Sequence, residues 1–130
     1  GLKNVRFTGY IPDQEKVALY DLCAGVVLPS HLRSEAFGVS LVEGAMFARP
    51  LVCAEAGSGT SFVNIHGETG LVVPPENPEA LREAMTGITQ NKTLAAAMGA
   101  NARMRYENLL SGEAMGKAYG DVYEKLLGYC

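Results

Sequence analysis

A chain of 130 residues, 48% of them hydrophobic, provides one domain or part of one, with enough apolar material for a real core. A net charge of −3, with 11 basic residues scattered and none clustered beyond Arg103 and Arg105, argues against a nucleic-acid surface. No apolar run approaches the roughly 18 residues that span a bilayer.

Val5-Arg6-Phe7-Thr8 alternates and ends at Gly9, which predicts a short strand. Pro12-Asp13 then opens a helix, with Asp13 as its cap and Val17, Tyr20 and Ala24 on one face. Gly25-Val26-Val27-Leu28 is a continuous apolar run, the pattern of a strand covered on both sides. A helix from about Val39 to Ala48 follows, stopped by Arg49-Pro50. Leu51-Val52-Cys53-Ala54 reads as another buried strand. The loop Gly57-Ser58-Gly59-Thr60 turns into a short helix through Phe62 and Val63, and the turn Gly67-Glu68-Thr69-Gly70 precedes a fourth strand, Leu71-Val72-Val73. From Asn77 the pattern is helical throughout. Asn77 caps a helix with Pro78 at its first position and Leu81, Met85 and Ile88 on one face. Asn91 opens a second carrying Leu94, Met98 and Ala102, and Ser111 a third carrying Met115, Tyr119, Val122 and Leu126. Strands alternating with helices predict an α/β fold, a parallel sheet with helices on both faces.

Cys23, Cys53 and Cys130 are odd in number and widely spaced. They read as small buried hydrophobes rather than metal ligands or catalytic thiols, which fits a reduced cytoplasm. No metal site and no cofactor is expected. His31 is either a surface loop residue or a donor contact, and His66 a turn residue. Gly57 to Thr60 would either offer backbone amides to a ligand or serve turn chemistry. Tyr119, Tyr123 and Tyr129 read as helix packing rather than a carbohydrate platform.

The segment Ser34-Glu35-Ala36-Phe37-Gly38-Val39-Ser40-Leu41-Val42-Glu43 carries the chemistry. A strand that leads through a polar loop into a helix is where open α/β sheets hold phosphate-bearing ligands. Gly38 lets the backbone come close to a ligand, and the free amides of roughly Val39 to Leu41 favour a diphosphate at the helix start. Glu35 precedes the helix, and Glu43 lies about one turn inside it, ~6 Å along its axis at about 1.5 Å per residue. Carboxylates repel phosphate, so these two are suited to sugar hydroxyls on either side of it. The competing reading leaves both as solvated charges.

Leu28-Pro29-Ser30 through Glu43-Gly44-Ala45-Met46, then Arg49-Pro50-Leu51-Val52, resembles the signature of the retaining GT-B glycosyltransferases of family 4, with their Glu-x7-Glu pair matched by Glu35 and Glu43. The resemblance continues through Gly67 to Pro75 and Asn77 to Leu81, and reaches back to Val5 to Pro12, the segment beside the nucleotide base. It weakens after about Asn101. Arg33 to Gly38 with Gly57 to Asn64 is similar to members that build bacterial envelope polysaccharides, of the mannosyltransferase type.

The resemblance implies the C-terminal, Rossmann-like donor-binding domain of a GT-B fold, truncated at its N-terminus. Residues 1–130 are then a nucleotide-sugar-binding domain fragment with a core over 1–90 and C-terminal helices over 91–130. Glu35 takes the catalytic position beside the donor sugar. Phe37, Gly38 and Val39 meet sugar hydroxyls, Ser40 and Leu41 the phosphate, Glu43 the ribose, and Tyr10 and Ile11 the base. The implied reaction moves a sugar from a UDP or GDP donor to a glycan or lipid-linked acceptor with retention, in polysaccharide or lipopolysaccharide biosynthesis. The acceptor is read by an N-terminal domain that this chain lacks. The family's diphosphate-binding Arg and Lys also lie in an absent segment, and Arg6 and Lys16 have no equivalent context. The fragment alone is therefore expected to be inactive. The expected place is the cytoplasm, extending to the inner face of the membrane for the complete enzyme. The missing strands and the apolar face of the last helix leave surfaces for self-association. The alternatives are a non-catalytic nucleotide-sugar-binding or interaction module of the same fold, or a non-hydrolysing sugar epimerase, whose site pattern differs.

Overall fold

The computed structural model describes residues 2–128. Tyr129 and Cys130 lie outside the described residues. In chain order the elements are α1 (Asp13–Leu22), β1 (Val26–Leu28), α2 (Val39–Met46), β2 (Leu51–Ala54), α3 (Thr60–Val63), β3 (Gly70–Val73), α4 (Pro78–Gln90), α5 (Lys92–Arg105), a π-helical turn (Tyr106–Leu110) and α6 (Gly112–Leu127). The three strands form one parallel sheet in the order β1-β2-β3, with Val27 opposite Val52 and Val52 opposite Leu71. Helices lie on both faces, as the alternating pattern predicts.

The alternation along β2 sorts the core into two layers. Leu51 and Cys53 face Leu41 and Ala45 of α2 together with Val63 and Ala102. Val52 and Ala54 face Ala84 and Ile88 of α4, with Val73 alongside. All four β2 residues are buried, so the continuous apolar run is explained by cover on both sides. Burial does not stop at residue 90: Met98 and Ala102 of α5 are 3% and 1% exposed. The π-helical turn, closed by the Ser111 amide on the Tyr106 carbonyl (2.8 Å), packs Tyr106 and Leu110 onto the α2 layer.

A polar staple ties this sheet to the segment before β3. Asn64 is fully buried, and its amide nitrogen donates to the carbonyls of Leu51 (3.4 Å) and Leu71 (3.1 Å). Its carbonyl oxygen accepts from the Thr69 hydroxyl (3.0 Å), which also accepts from the Ile65 amide (2.8 Å). Every strong hydrogen-bonding group of the pair is therefore used, which buried polar groups need.

Three of the four predicted helix caps hold. Asn77 accepts from the Ala80 amide, Asn91 from Leu94 and Ser111 from Ala114, each through its side chain. Asp13 does not cap α1. Pro12 occupies that position, and Asp13 lies within the first turn. The predicted strand over Val5–Thr8 is absent: the segment is irregular, with Phe7 94% exposed. A strand needs a neighbour for its amides and carbonyls, and the sheet ends at β1. The sheet therefore has three strands, not four, and the outer edge of β1 is unpaired among the described residues.

The expected core face of α1 is likewise absent, since α1 has no buried residue and Val17 is 42% exposed. Cys53 is fully buried, and burial pushes its thiol up from the usual range. Cys23 is only half-buried, against expectation, because it ends the peripheral α1. On α6, Tyr119, Val122, Tyr123 and Leu126 are all more than half exposed, so Tyr119 and Tyr123 do not serve as internal packing.

Candidate functional site

The carboxyl ends of all three strands open onto one side of the sheet, and the loop from β1 leads there into α2. Gly38 makes the turn, with φ +84° and ψ +58°, the left-handed region that suits glycine. It is buried beneath Leu28, Leu41 and Thr60, so the backbone enters the helix close against the sheet. The Leu41 and Val42 amides both donate to the Gly38 carbonyl (2.9 and 3.3 Å). Among the described residues no protein group accepts from the Val39 and Ser40 amides. The helix mouth thus offers two open amides rather than the three that the sequence predicted, since Leu41 is already spent. The Leu41 side chain is fully buried and serves the core.

Glu35 faces this mouth. Its Oε1 accepts from the Gly38 amide at 3.1 Å, a contact that fixes the loop and leaves Oε2 available. Phe37 is 41% exposed beside it and pairs with Phe62 at 6.4 Å between ring centroids. The Arg105 guanidinium lies 5.0 Å from the Phe62 ring centre and donates to the Phe62 carbonyl. Val39 is exposed and Ser40 half-buried.

Glu43 turns toward α1. Its Oε1 accepts from Lys16 Nζ and its Oε2 from the Tyr20 hydroxyl, both at 2.8 Å. The Lys16 hydrogen bond, aided by Tyr20 and opposed by partial burial, holds the Glu43 carboxyl below the usual carboxylate range. The same pairing raises Lys16. Burial first, then the hydrogen bond to Glu43 and its charge, holds the Tyr20 phenol well above its ordinary range, so it stays a donor. Sequence reasoning gave Lys16 no role and placed Tyr20 on a core face. The one available signal was the four-residue spacing that puts both on the same side of a helix.

Tyr10 is 94% exposed and Ile11 half-buried, just ahead of the start of α1. His31 borders two hollows at the strand ends. One, of about 240 Å³, is lined by Ser30, His31, Ser34 and Glu35. The other, of about 390 Å³, lies among Pro29, His31, Ala54, Val73 and Leu81. His31 also stands 3.8 Å from Glu76. His66 is more than a turn residue, because its Nδ1 accepts from the Val72 amide at 3.0 Å. Gly57 and Gly59 offer nothing to a ligand: their amides donate to Glu55 Oε1 (2.9 Å) and the Ala36 carbonyl (2.8 Å). No cluster of three potential metal-binding side chains occurs among the described residues. Nor is any helix there long and apolar enough to cross a membrane.

The sequence profile of the family described as Glycosyl transferases group 1 matches residues 1–105. The D-rhamnosyltransferase WbpZ of Pseudomonas aeruginosa is 54% identical over 111 residues, covering 85% of this chain and 29% of that protein. The O-antigen chain mannosyltransferase C of Escherichia coli is 49% identical over 127 residues, covering 98% of this chain and 34% of that protein. The chain thus spans about a third of the length of these relatives. Among solved structures, sucrose-phosphate synthase from Thermosynechococcus elongatus superposes with a TM-score of 0.79 at 32% identity, covering 96% of this chain and 31% of that one. Anabaena Alr3699/HepE, solved in complex with UDP-glucose, gives 0.82 at 21% identity, covering 95% and 33%, a likeness of fold.

Proposed function

The chain belongs to the glycosyl transferases group 1 family, and from that premise we propose that it is the donor-binding part of an envelope-polysaccharide hexosyltransferase. The observation that carries this reading is the mouth of α2: two unpartnered amides behind a left-handed glycine, between Glu35 and Glu43. A diphosphate placed there would accept from the Val39 and Ser40 amides and gain from the helix dipole. The donor sugar would then lie toward Glu35 and Phe37, the ribose toward Glu43, and the base toward Tyr10 and Ile11.

In the reaction an acceptor hydroxyl bonds to the anomeric carbon while the carbon–oxygen bond to the diphosphate breaks. The bonding pair leaves with the diphosphate, and the acceptor's proton passes to a phosphate oxygen or to water. Charge grows on the leaving phosphate, so amides aimed at that oxygen stabilise the transition state more than the ground state. Transfer with retention follows from the resemblance to the retaining enzymes. The two relatives near 50% identity are named for D-rhamnose and mannose transfer, and D-rhamnose is mannose without its 6-hydroxyl. That favours a manno-configured donor and an O-antigen-type acceptor held by the remainder of the protein. The free edge of β1 and the uncovered face of α6 are where that remainder, or a second copy, would pack. Work at the inner face of the cytoplasmic membrane completes the proposal.

The test is a thermal-shift screen of the intact enzyme against UDP-, GDP- and ADP-sugars. A ligand bound only by the folded state raises the melting temperature by mass action. At least one nucleotide sugar should do so, and Glu43→Ala should abolish the shift. A flat response to all of them, or an unchanged shift in Glu43→Ala, contradicts the assignment.

A further inference from the structure

With no buried residue of its own, α1 is placed by contacts other than core packing. Three hold it, and all reach α2 or the turn after it. Tyr20 stacks on Phe47 with ring centroids 5.4 Å apart and planes 11° from parallel. The Arg49 guanidinium donates to the carbonyls of Asp21 (2.8 Å) and Cys23 (3.3 Å) at the end of the helix. The third contact is Glu43, gripped by Lys16 on one oxygen and Tyr20 on the other.

The third is partly open to water, with the Lys16 and Glu43 side chains 40% and 33% exposed. Ion pairs in such places add little to stability. Its geometry is more informative. A carboxylate has about four lone-pair sites, and here each oxygen spends one on α1. One site on each oxygen therefore stays open, which matches the two donors of a vicinal diol.

We infer that Lys16 and Tyr20 are positioning residues: by holding one Glu43 oxygen each, they preset the carboxylate to accept both ribose hydroxyls of the donor. This rests on the proposed ribose contact of Glu43. A free glutamate samples several rotamers and must be ordered when a ligand binds, whereas this one is ordered in advance. The pair also keeps Glu43 charged. Besides Lys16 and Tyr20, the charged group nearest this cluster is Asp13, 3.7 Å from Lys16 Nζ.

The experiment is titration calorimetry of the intact enzyme with UDP, GDP and their 2′,3′-dideoxy counterparts, followed through whichever nucleotide binds the unsubstituted protein. The unsubstituted protein should prefer the ribonucleotide to its dideoxy form. Lys16→Met and Tyr20→Phe should each weaken ribonucleotide binding about three- to tenfold, the cost of ordering one side chain, and leave dideoxy binding unchanged. Tyr20→Phe keeps the ring on Phe47, so α1 stays docked. Lys16→Arg should restore binding. At pH 5 the ribonucleotide preference of Lys16→Met should shrink further, while that of the unsubstituted protein holds. If the unsubstituted protein discriminates and both substitutions leave that discrimination intact, or weaken both nucleotide forms alike, the positioning role is wrong. If the unsubstituted protein does not discriminate, the ribose contact itself is wrong and the inference falls with it.

Discussion

Replacing Gly38 by alanine probes the turn on which the site depends. The backbone there stands at φ +84°, and an added methyl would lie 3.0 Å from Leu41 Cδ1, 3.2 Å from Leu28 Cδ2 and 3.3 Å from Thr60 Cγ2. Left-handed backbone costs a non-glycine residue about 1–2 kcal/mol. Crowding a packed position adds about 1–3 kcal/mol. The expected loss is therefore roughly 2–5 kcal/mol, the sum of the two. Gly57 separates these contributions, because its φ is +61° but a methyl there would meet nothing within 4 Å. Gly57→Ala should cost only the backbone share. Gly38→Ala should lower the melting temperature of the intact enzyme more than Gly57→Ala does, the difference being the crowding share of about 1–3 kcal/mol. Gly38→Ala should also weaken donor binding, since it displaces the Val39 and Ser40 amides, whereas Gly57→Ala should not. Equal losses of stability, or undiminished donor affinity in Gly38→Ala, would refute the reasoning.

Asn64→Ala strips a side-chain donor from two strand carbonyls and the acceptor from the Thr69 hydroxyl; losing a buried hydrogen-bond partner costs about 1–3 kcal/mol, and chemical denaturation should show a loss of at least the lower figure. Acidification should weaken the grip of Lys16 on Glu43. Because the folded-state pKa of Glu43 is depressed, its contribution is fully present above the ordinary carboxylate value of about 4.3 and disappears as pH falls through the lower folded value. The melting-temperature gap between the unsubstituted protein and Glu43→Gln should therefore narrow below that pH. A gap that stays unchanged as the pH falls through the carboxylate range would contradict the Lys16 pairing. The 130 residues alone should not turn over a nucleotide sugar, as a coupled assay for released nucleoside diphosphate will show.

Most of the fold was legible because its signals are local. The apolar runs of β1 and β2 and the caps Asn77, Asn91 and Ser111 each appear where their own residues predict them. The alternation of Val5–Thr8 makes no strand because alternation specifies one only when a neighbouring strand takes up its hydrogen bonds, and none is adjacent among the described residues. At the site, the ordered run from Glu35 to Glu43 was legible, since strand, loop and helix start are consecutive. The partners of Glu43 were not. Lys16 and Tyr20 lie 27 and 23 residues away, and only the packing of α1 on α2 brings them together. Asn64 gives no sequence signal for a similar reason: its partners include carbonyls on two strands, groups that every residue carries.

Hydrogen–deuterium exchange across the Phe37–Val42 segment of the intact enzyme addresses the diphosphate most directly. The Val39 and Ser40 amides, open in the free protein, should become protected on adding the nucleoside diphosphate and remain unprotected with the nucleoside alone. Equal exchange in both conditions, with the diphosphate bound at saturation, would place the phosphates elsewhere and contradict a donor site at the mouth of α2.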